Sequence, residues 1–286
     1  MTADLFARRP RQFKPLSGVR VTTLALNLPG PVAAARLRAL GAEVLKIEPP
    51  GGDPMQALSP ALYRAMHRGV TVQTLDLKTT AGRAALDARL QASDLLFTAF
   101  RPAALKRLGL ERRGVSARHP HLNTVRIVGY PGRRAGLAGH DLTFQAEAGL
   151  IGTAQLPSTL LADMTGALLA VEAALAALLQ SRQQGRGVWL DVALSEAARF
   201  AAVPRRLGIT APGQTLGGAL PAYGVYRCAD GLVAIAALEP HFAQKLQQAA
   251  QGGTRRHIAQ WCRQHSAAQL MALAQQLDLP LWAWTA

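Results

Sequence analysis

Four acidic or basic side chains in this sequence have the types and neighbours that proton-transfer or nucleophilic chemistry needs. His140 and Asp141 stand together just before a helix-like segment, where such a pair commonly caps a helix but can also act as an acid or base. Asp163 opens an alanine-rich helix, which could use it as an N-cap or could hold it ionised and aim it. Glu239 precedes Pro240 at the end of a predicted strand. Taken singly, each residue leaves a structural and a catalytic interpretation open.

Metal and dinucleotide motifs do not stand out in the sequence. Its two cysteines, Cys228 and Cys262, are too few for a disulfide framework and have no metal-ligand spacing, so we predict no metal site. The loop at 27–31 lacks the pattern G-x-G-x-x-G, and Pro31 has no backbone N–H to offer a pyrophosphate. Hydride transfer is therefore disfavoured, although side chains along the carboxyl edge of a sheet can still hold phosphates.

The elements that must position these residues alternate between strands and helices. Predicted helices lie at 32–41, 78–93 and 164–180, and predicted strands at 19–26, 42–50, 71–77, 94–100, 122–130 and 188–194. Such alternation requires right-handed crossovers and a largely parallel sheet. We therefore predict an α/β protein with a doubly wound, Rossmann-like sheet and a second, smaller α+β domain.

The predicted domain organisation has four parts. Residues 1–15 form a basic leader, 16–203 a large α/β domain that binds the ligand, 204–217 a linker rich in Pro, Gly and Arg, and 218–286 the small domain. The small domain is expected to begin with a hairpin that turns at Ala229, Asp230 and Gly231 and to continue in helices.

Composition narrows the class of protein. The chain has 286 residues, 49% of them apolar, which excludes a mainly disordered protein. The formal net charge of +15 favours anionic partners: nucleic acid, acidic lipid or phosphorylated small molecules. The most apolar stretch, at 161–180, contains Asp163 and Glu172 and predicts a buried core helix rather than a membrane span. With only two cysteines and no apolar signal segment, we expect a cytoplasmic protein that does not bind membranes.

Longer segments, in chain order, resemble the class III CoA-transferase superfamily and, within it, the α-methylacyl-CoA racemases. The resemblance rests on PLSGVRV at 15–21, LPGPVAAARLRALGAEVLKIEPPGGDP at 28–54, LDLKTTAGRAAL at 75–86, FRPAALKRLGL at 100–110, AGHDLTFQAEAGLIG at 138–152, the central helix and Gly-x-Gly-x-x-x-Asp-Val strand at 161–194, and the small-domain segment at 217–242. Histidine before the aspartate at 140–141 matches the racemase version. The resemblance covers nearly the whole chain after residue 14.

The resemblance implies three catalytic residues. Asp163 matches the reactive aspartate of the superfamily, His140 the racemase histidine, and Glu239 a racemase glutamate near the site. In a racemase, His140 and Asp163 would exchange the α-proton of an acyl-CoA through an enolate, and Glu239 would orient the assembly. In a CoA-transferase, Asp163 would instead attack the thioester and carry a covalent intermediate.

The resemblance also implies where coenzyme A binds as part of the substrate, with no tightly bound cofactor. Leu28 matches the loop beside the pantetheine, Leu77 and Lys78 match the adenine side, and Arg107 matches an arginine that holds a CoA phosphate. Pro49 stands where some racemases have another such arginine. The implied partners are an acyl-CoA thioester and a second copy of the chain.

Three functions remain open. A racemase or epimerase of 2-methyl-branched acyl-CoA is favoured by His140 and Glu239, and a CoA-transferase acting between carboxylic acids is the alternative. The third is a catalytically impaired CoA-binding or basic binding protein. Relatives continue for several dozen residues beyond the strand matched at 277–286, so we expect a weakened family homodimer. The basic residues are dispersed and few aromatics lie among them, so we expect no nucleic-acid binding.

Overall fold

The computed structural model describes residues 13–285, so most of the predicted basic leader lies outside the described residues. The chain divides into two compact units, Met1–Ala202 and Val203–Ala286. The predicted linker at 204–217 overlaps two short helical segments, Val203–Arg206 and Thr215–Ala219. The proposed boundaries of the two domains stay predictions.

The first unit is built on a six-stranded, all-parallel sheet. Its strands are β1 (Arg20–Thr23), β2 (Glu43–Glu48), β3 (Thr71–Thr74), β4 (Leu95–Thr98), β5 (Asn123–Val128) and β6 (Trp189–Ala193). The spatial order is β3-β2-β1-β4-β5-β6, which is the doubly wound order with its switch point between β1 and β4. The predicted fold class is therefore confirmed. All six carboxyl ends lie along one edge of the sheet, where ligands of such folds bind.

Helices cover both faces of this sheet. They are α1 (Pro29–Ala39), α2 (Pro54–Leu58), α3 (Pro60–Met66), α4 (Thr80–Gln91), α5 (Pro102–Leu108), α6 (Arg112–Arg118), α7 (Asp141–Glu147), α8 (Leu161–Gln184) and α9 (Leu194–Ala201), with a 3-10 turn at Gly132–Gly136. One core joins α1 and α8 to residues such as Val21, Phe97 and Val125. The other lies beneath α4, α5 and α6, around Leu96. Alternate strand residues supply the two cores because successive side chains point to opposite faces.

Helix α1 begins at Pro29, earlier than the predicted start at 32. Pro29 and Pro31 fit the first turn because backbone N–H groups there have no partner within the helix. Gly30 allows the turn to lie against the loop after β1, since a Cβ at this position would come within 2.2 Å of the Ala25 Cβ. The apparent loop at 27–31 is thus largely the start of a helix.

Helix α8 is the one helix among the described residues that is long and apolar enough to cross a membrane by length and composition alone. Its mean hydropathy is 1.6 over the most apolar window, of which 44% is buried inside the protein. Core helices of soluble proteins have the same properties, so this is weak evidence for a membrane span. The contacts of α8 with α1, through Ala167, Ala170 and Ala174, belong to the main core.

The second unit contains the three-stranded antiparallel sheet β7-β8-β9, formed by β7 (Tyr223–Arg227), β8 (Gly231–Ala236) and β9 (Leu281–Thr285). The expected hairpin is present, and Asp230 lies in its turn. The helices of this unit are α10 (Val203–Arg206), α11 (Pro240–Ala249), α12 (Arg255–Arg263) and α13 (Ala267–Leu277). Helices α11, α12 and α13 and the small sheet enclose a separate core around Val233, Trp261 and Leu270.

Candidate functional site

A cavity of about 560 Å³ lies at the carboxyl ends of β1, β2, β3 and β4. We call it the carboxyl-edge cavity. Its lining residues are Leu24, Leu26, Ile47, Glu48, Pro49, Pro50, Gly51, Leu75, Asp76, Leu77, Lys78, Phe100, Ala104, Arg107 and Leu108. The cavity thus combines a mostly apolar wall with two basic residues, Lys78 and Arg107, and two acidic residues, Glu48 and Asp76. It lies beside the switch point where doubly wound folds bind ligands.

Three of the four residues predicted to bind coenzyme A line this cavity: Leu77, Lys78 and Arg107. The Lys78 N–H donates to Oδ1 of Asp76 at 2.9 Å, which fixes the turn after β3. Lys78 and Arg107 are exposed, and neither forms an ion pair with any residue in 13–285. Both cations are therefore available to an anionic ligand. The Leu28 side chain is buried in the core at the start of α1.

A buried lysine holds together two loops beside the cavity. Lys46 is 1% exposed; its Nζ lies 3.0 Å from Oε1 of Glu48 and pairs with Oδ2 of Asp53. Asp53 in turn accepts the backbone N–H groups of Met55 at 2.9 Å and Asn27 at 3.0 Å. The Lys46 ammonium therefore links the loop after β1 with the loop after β2, which contributes Pro49, Pro50 and Gly51 to the cavity.

The same cluster contains three side chains of types that bind metals: oxygens of Glu48 and Asp53 and a nitrogen of His67 lie within 4.8 Å of one another. The Lys46 ammonium donates to Nε2 of His67 at 2.8 Å while His67 Nδ1 donates to the Tyr63 carbonyl at 2.7 Å. Burial and the Lys46 charge lower the pKa of His67, which keeps its ring neutral and accepting. All three candidate ligands thus already bind a cation that the chain supplies.

His140 and Asp163, two of the predicted catalytic residues, lie on segments that Asp141 joins. His140 is the exposed N-cap residue of α7, and its backbone N–H donates to Oγ1 of Thr143 at 3.1 Å. Asp141, the next residue, is buried and accepts the backbone N–H of Asp163 through Oδ1 at 3.0 Å. Its Oδ2 accepts from Nε2 of Gln145 at 2.6 Å. The start of α7 is therefore tied to the first turn of α8.

Asp163 is not the N-cap of α8, which corrects that expectation for this residue. Leu160 occupies the N-cap position and Asp163 is the third residue of α8, where Asp141 caps its N–H from another segment. Burial, and then the charge of Asp141, raise the pKa of Asp163 to about 7. These two effects outweigh the positive end of the helix dipole. Asp163 consequently exchanges a proton near neutral pH, which suits an acid/base group.

Glu239, the third predicted catalytic residue, belongs to the second unit. It is exposed and is the N-cap residue of α11, with Pro240 in the first helical position. Glu239 thus follows a strand and precedes Pro240, as the sequence predicts. Its catalytic role stays a prediction from the resemblance.

The family model for CoA-transferase family III matches residues 16–284, which is nearly all of the described chain. The chain belongs to this family. The resemblance inferred from the sequence motifs is thereby confirmed.

Curated relatives include both activities that the sequence left open. A probable fatty acyl-CoA transferase of Mycobacterium tuberculosis is 30% identical over 82% of this chain and 68% of its own length. A succinate–glutarate CoA-transferase of Agrobacterium fabrum is 30% identical over 79% and 64%. Human α-methylacyl-CoA racemase is 30% identical over 81% and 63%. The chain spans about two thirds of the length of these relatives.

Solved structures support the fold. A hypothetical protein of M. tuberculosis superposes with a TM-score of 0.82 at 26% identity, over 96% of this chain and 86% of that chain. A CAIB/BAIF family protein of Brucella suis superposes with a TM-score of 0.83 at 23% identity, over 96% and 85%. The latter likeness concerns the fold alone.

Sequence reasoning missed the roles of Asp141 and Lys46. The sequence indicates that Asp141 is a candidate helix cap or acid/base beside His140, but it does not indicate that its carboxylate joins α7 to α8. The predicted strand at 42–50 contains Lys46 without a role for it, although Lys46 organises the loop beside the cavity. A signal was present, because a lysine flanked by apolar residues inside a buried parallel strand needs carboxylate partners, and Glu48 and Asp53 follow within seven residues.

Proposed function

We propose that this member of CoA-transferase family III binds an acyl-CoA thioester in the carboxyl-edge cavity and racemises or epimerises 2-methyl-branched acyl groups. The observation that carries the proposal is the hydrogen bond through which Asp141 joins the segment of His140 to that of Asp163, where burial and the charge of Asp141 raise the pKa of Asp163 to about 7. A base for racemisation must accept a proton and return it, and a pKa near the working pH allows both.

In the proposed mechanism, the thioester makes the α-proton of the acyl group acidic. One of His140 and Asp163 removes this proton and leaves an enolate, and the other returns a proton to the opposite face of the α-carbon. The C–H bond that breaks on one face is replaced by one on the other, so no oxidant, reductant or metal is required. Which residue acts first depends on the starting enantiomer.

Binding energy would come from the far end of the substrate. Lys78 and Arg107 are the basic residues of the carboxyl-edge cavity, and the phosphates of coenzyme A are polyanionic. Contacts that do not involve the reacting carbon can still stabilise the transition state by fixing its position. We therefore assign these two residues to phosphate binding.

The test is α-proton exchange in heavy water, followed by proton NMR with a 2-methylacyl-CoA and no acceptor acid. Wild-type protein should incorporate deuterium at the α-carbon, and His140→Ala and Asp163→Asn should each lose the exchange. Glu172→Gln, which changes an exposed carboxylate farther along α8, is the matched control and should exchange normally. Absence of exchange by wild-type protein across several 2-methylacyl-CoAs would reject the proposal.

A CoA-transferase is the second candidate, because curated relatives carry that activity in their names. A carboxylate oxygen of Asp163 would attack the thioester carbonyl and expel the CoA thiolate, leaving a mixed anhydride. The thiolate would then attack the aspartyl carbonyl, release the first acid and form an aspartyl-CoA thioester. Hydroxylamine trapping at Asp163, combined with CoA transfer to an added carboxylic acid, distinguishes this reaction from racemisation.

We retain three further predictions with this proposal: a homodimer, a cytoplasmic location and the absence of nucleic-acid binding. Light scattering of the purified protein measures its oligomeric state and so tests the homodimer. A titration that compares coenzyme A with an oligonucleotide at several salt concentrations measures the last, since nucleic-acid binding weakens steeply with salt.

A further inference from the structure

A second cavity, of about 360 Å³, lies at the opposite edge of the large sheet. We call it the amino-edge cavity. It is lined by Arg112, Val115, Ser116, Pro120, Leu122, Thr124, Gln180, Gln184, Arg186, Gly187, Val188 and Trp189. These residues come from α6, from the end of α8 and from the amino ends of β5 and β6. Because the strands are all parallel, this edge faces away from the carboxyl-edge cavity.

The charged residues that line the amino-edge cavity are all basic. Arg112 and Arg186 line it, and the lining includes no aspartate or glutamate. Neither guanidinium forms an ion pair with another residue in the described range 13–285. The arginine fork suits carboxylate and phosphate groups, which it binds through paired N–H bonds. The cavity therefore fits an anion.

One buried hydroxyl in the lining has no partner. Thr124 is 1% exposed, its backbone N–H donates to the Val188 carbonyl, and its Oγ1 has no hydrogen-bond partner among residues 13–285. Its side chain lies on the same face of β5 as Arg126, opposite Val125, which belongs to the core with α1 and α8. An unsatisfied buried hydroxyl in a cavity wall is costly unless a bound molecule completes it.

The loop before β6 packs closely against the loop before β5 at the cavity. The Gly187 N–H donates to the Pro120 carbonyl at 2.7 Å. A Cβ at Gly187 would come within 2.2 Å of the Leu122 carbonyl oxygen, so the two loops touch through backbone alone. Arg186, the residue before Gly187, lines the cavity together with Leu122 and Trp189.

We propose that the amino-edge cavity binds a small organic anion, in which a carboxylate or phosphate group is attached to an apolar or aromatic body. Arg112 and Arg186 bind the anionic group, the Thr124 hydroxyl donates or accepts one hydrogen bond, and the body packs on Val115, Leu122 and Trp189. The volume lies within the range of small-molecule pockets. The site is independent of the activity proposed above.

Binding is measured by calorimetric titration of the full chain with phenyl phosphate and with benzoate, using phenol as the uncharged control. We expect saturable binding of at least one anion, and binding of phenol weaker by at least about tenfold. Comparison of the two anions identifies which group the arginines prefer. If neither anion binds to wild-type protein, the proposal is wrong.

Variants locate the bound anion. Arg112→Gln and Arg186→Gln should each weaken binding about tenfold, and Thr124→Val about threefold. Arg113→Gln is the matched control, because Arg113 is an exposed arginine on the same helix outside the lining. Equal weakening in Arg113→Gln would show general attraction to a basic surface and would overturn the proposal.

The carboxyl-edge cavity is the competing location. A Lys78→Gln/Arg107→Gln double variant should bind the anion as wild-type protein does; loss of binding in this variant alone would place the anion there and refute our assignment. Proton–nitrogen NMR adds a measurement that does not depend on variant stability. Addition of the anion should shift the Trp189 indole and Gly187 amide signals, and no shift at either would contradict the site.

Discussion

Asp163 shows how one residue is tuned by a neighbour far away in sequence. Its pKa of about 7 results from burial and from the charge of Asp141, whose Oδ1 accepts the Asp163 N–H at 3.0 Å. The sequence supplies the residue type and its place near a helix start. It does not supply the burial or the like charge, because both depend on the packing of α7 against α8.

Asp141→Asn should lower the pKa of Asp163 below about 7, since it removes the like charge but keeps an oxygen that can accept the N–H. The wild-type folded state holds the Asp163 proton at pH values where the unfolded chain has lost it. The free energy of unfolding of the wild-type protein therefore falls as the pH rises from 3.8, the ordinary aspartate pKa, through about 7, the pKa of Asp163 in the folded protein. In Asp141→Asn this fall should end at lower pH.

Carbon-13 NMR of the aspartate carboxyl groups measures this titration, with Asp163→Asn to assign the signal. Glu172→Gln serves as the control and should leave the midpoint unchanged. A midpoint in Asp141→Asn equal to that of wild-type protein would show that Asp141 does not influence Asp163.

A second prediction for a single residue concerns Lys46. Lys46→Met should destabilise the protein by about 3–5 kcal/mol, because Glu48 and Asp53 lose the cation that neutralises them inside the protein. Lys245→Met is the matched control, since Lys245 pairs with Asp278 at 3.2 Å on the surface and should cost no more than about 1 kcal/mol. Urea unfolding of both variants measures the difference; equal costs would contradict the buried network.

Among the elements, α1 depends on a close approach that only glycine permits. Gly30→Ala should cost roughly 1–3 kcal/mol, because the new methyl group would lie 2.2 Å from the Ala25 Cβ and the helix must move. Gly136→Ala is the control, since nothing lies within 4 Å of the position of its Cβ. Thermal unfolding compares the two, and a Gly30→Ala variant as stable as Gly136→Ala would show that α1 can shift freely.

At this scale the sequence predicts the positions of the strands of the large sheet well, but it does not predict the helices α2, α3, α5, α6 and α9. Each of the six predicted parallel strands is present, because continuous β-branched and apolar runs between helical segments are typical of buried parallel strands. Boundaries are less accurate where a distant group decides them. Helix α8 begins three residues before the predicted start at 164, where Asp141 from another segment caps it. Helix α1 begins early because prolines are compatible with a first turn.

For the whole molecule, the separate cores of the two units predict independent folding. Residues 203–286 enclose their own core around Val233, Ile258 and Leu270, with β9 completing the small sheet. We expect this segment, expressed alone, to unfold cooperatively on heating, as a unit with its own core does. Circular dichroism measures the transition. The same segment without residues 279–286 is the control and should show no cooperative transition. A gradual melt of the longer segment would contradict the prediction.

The location of the two cysteines gives the protein an unexpected experimental advantage. Cys228 and Cys262 are the only thiols of the sequence and both are buried, and burial raises the pKa of Cys262 to about 12. Since the thiolate is the form that reacts, alkylating reagents should spare them. Cysteines introduced at the exposed positions Leu58 and Leu207, one in each unit, would then carry spin labels while Cys228 and Cys262 stay unlabelled. Electron paramagnetic resonance could follow the distance between the units while coenzyme A is added.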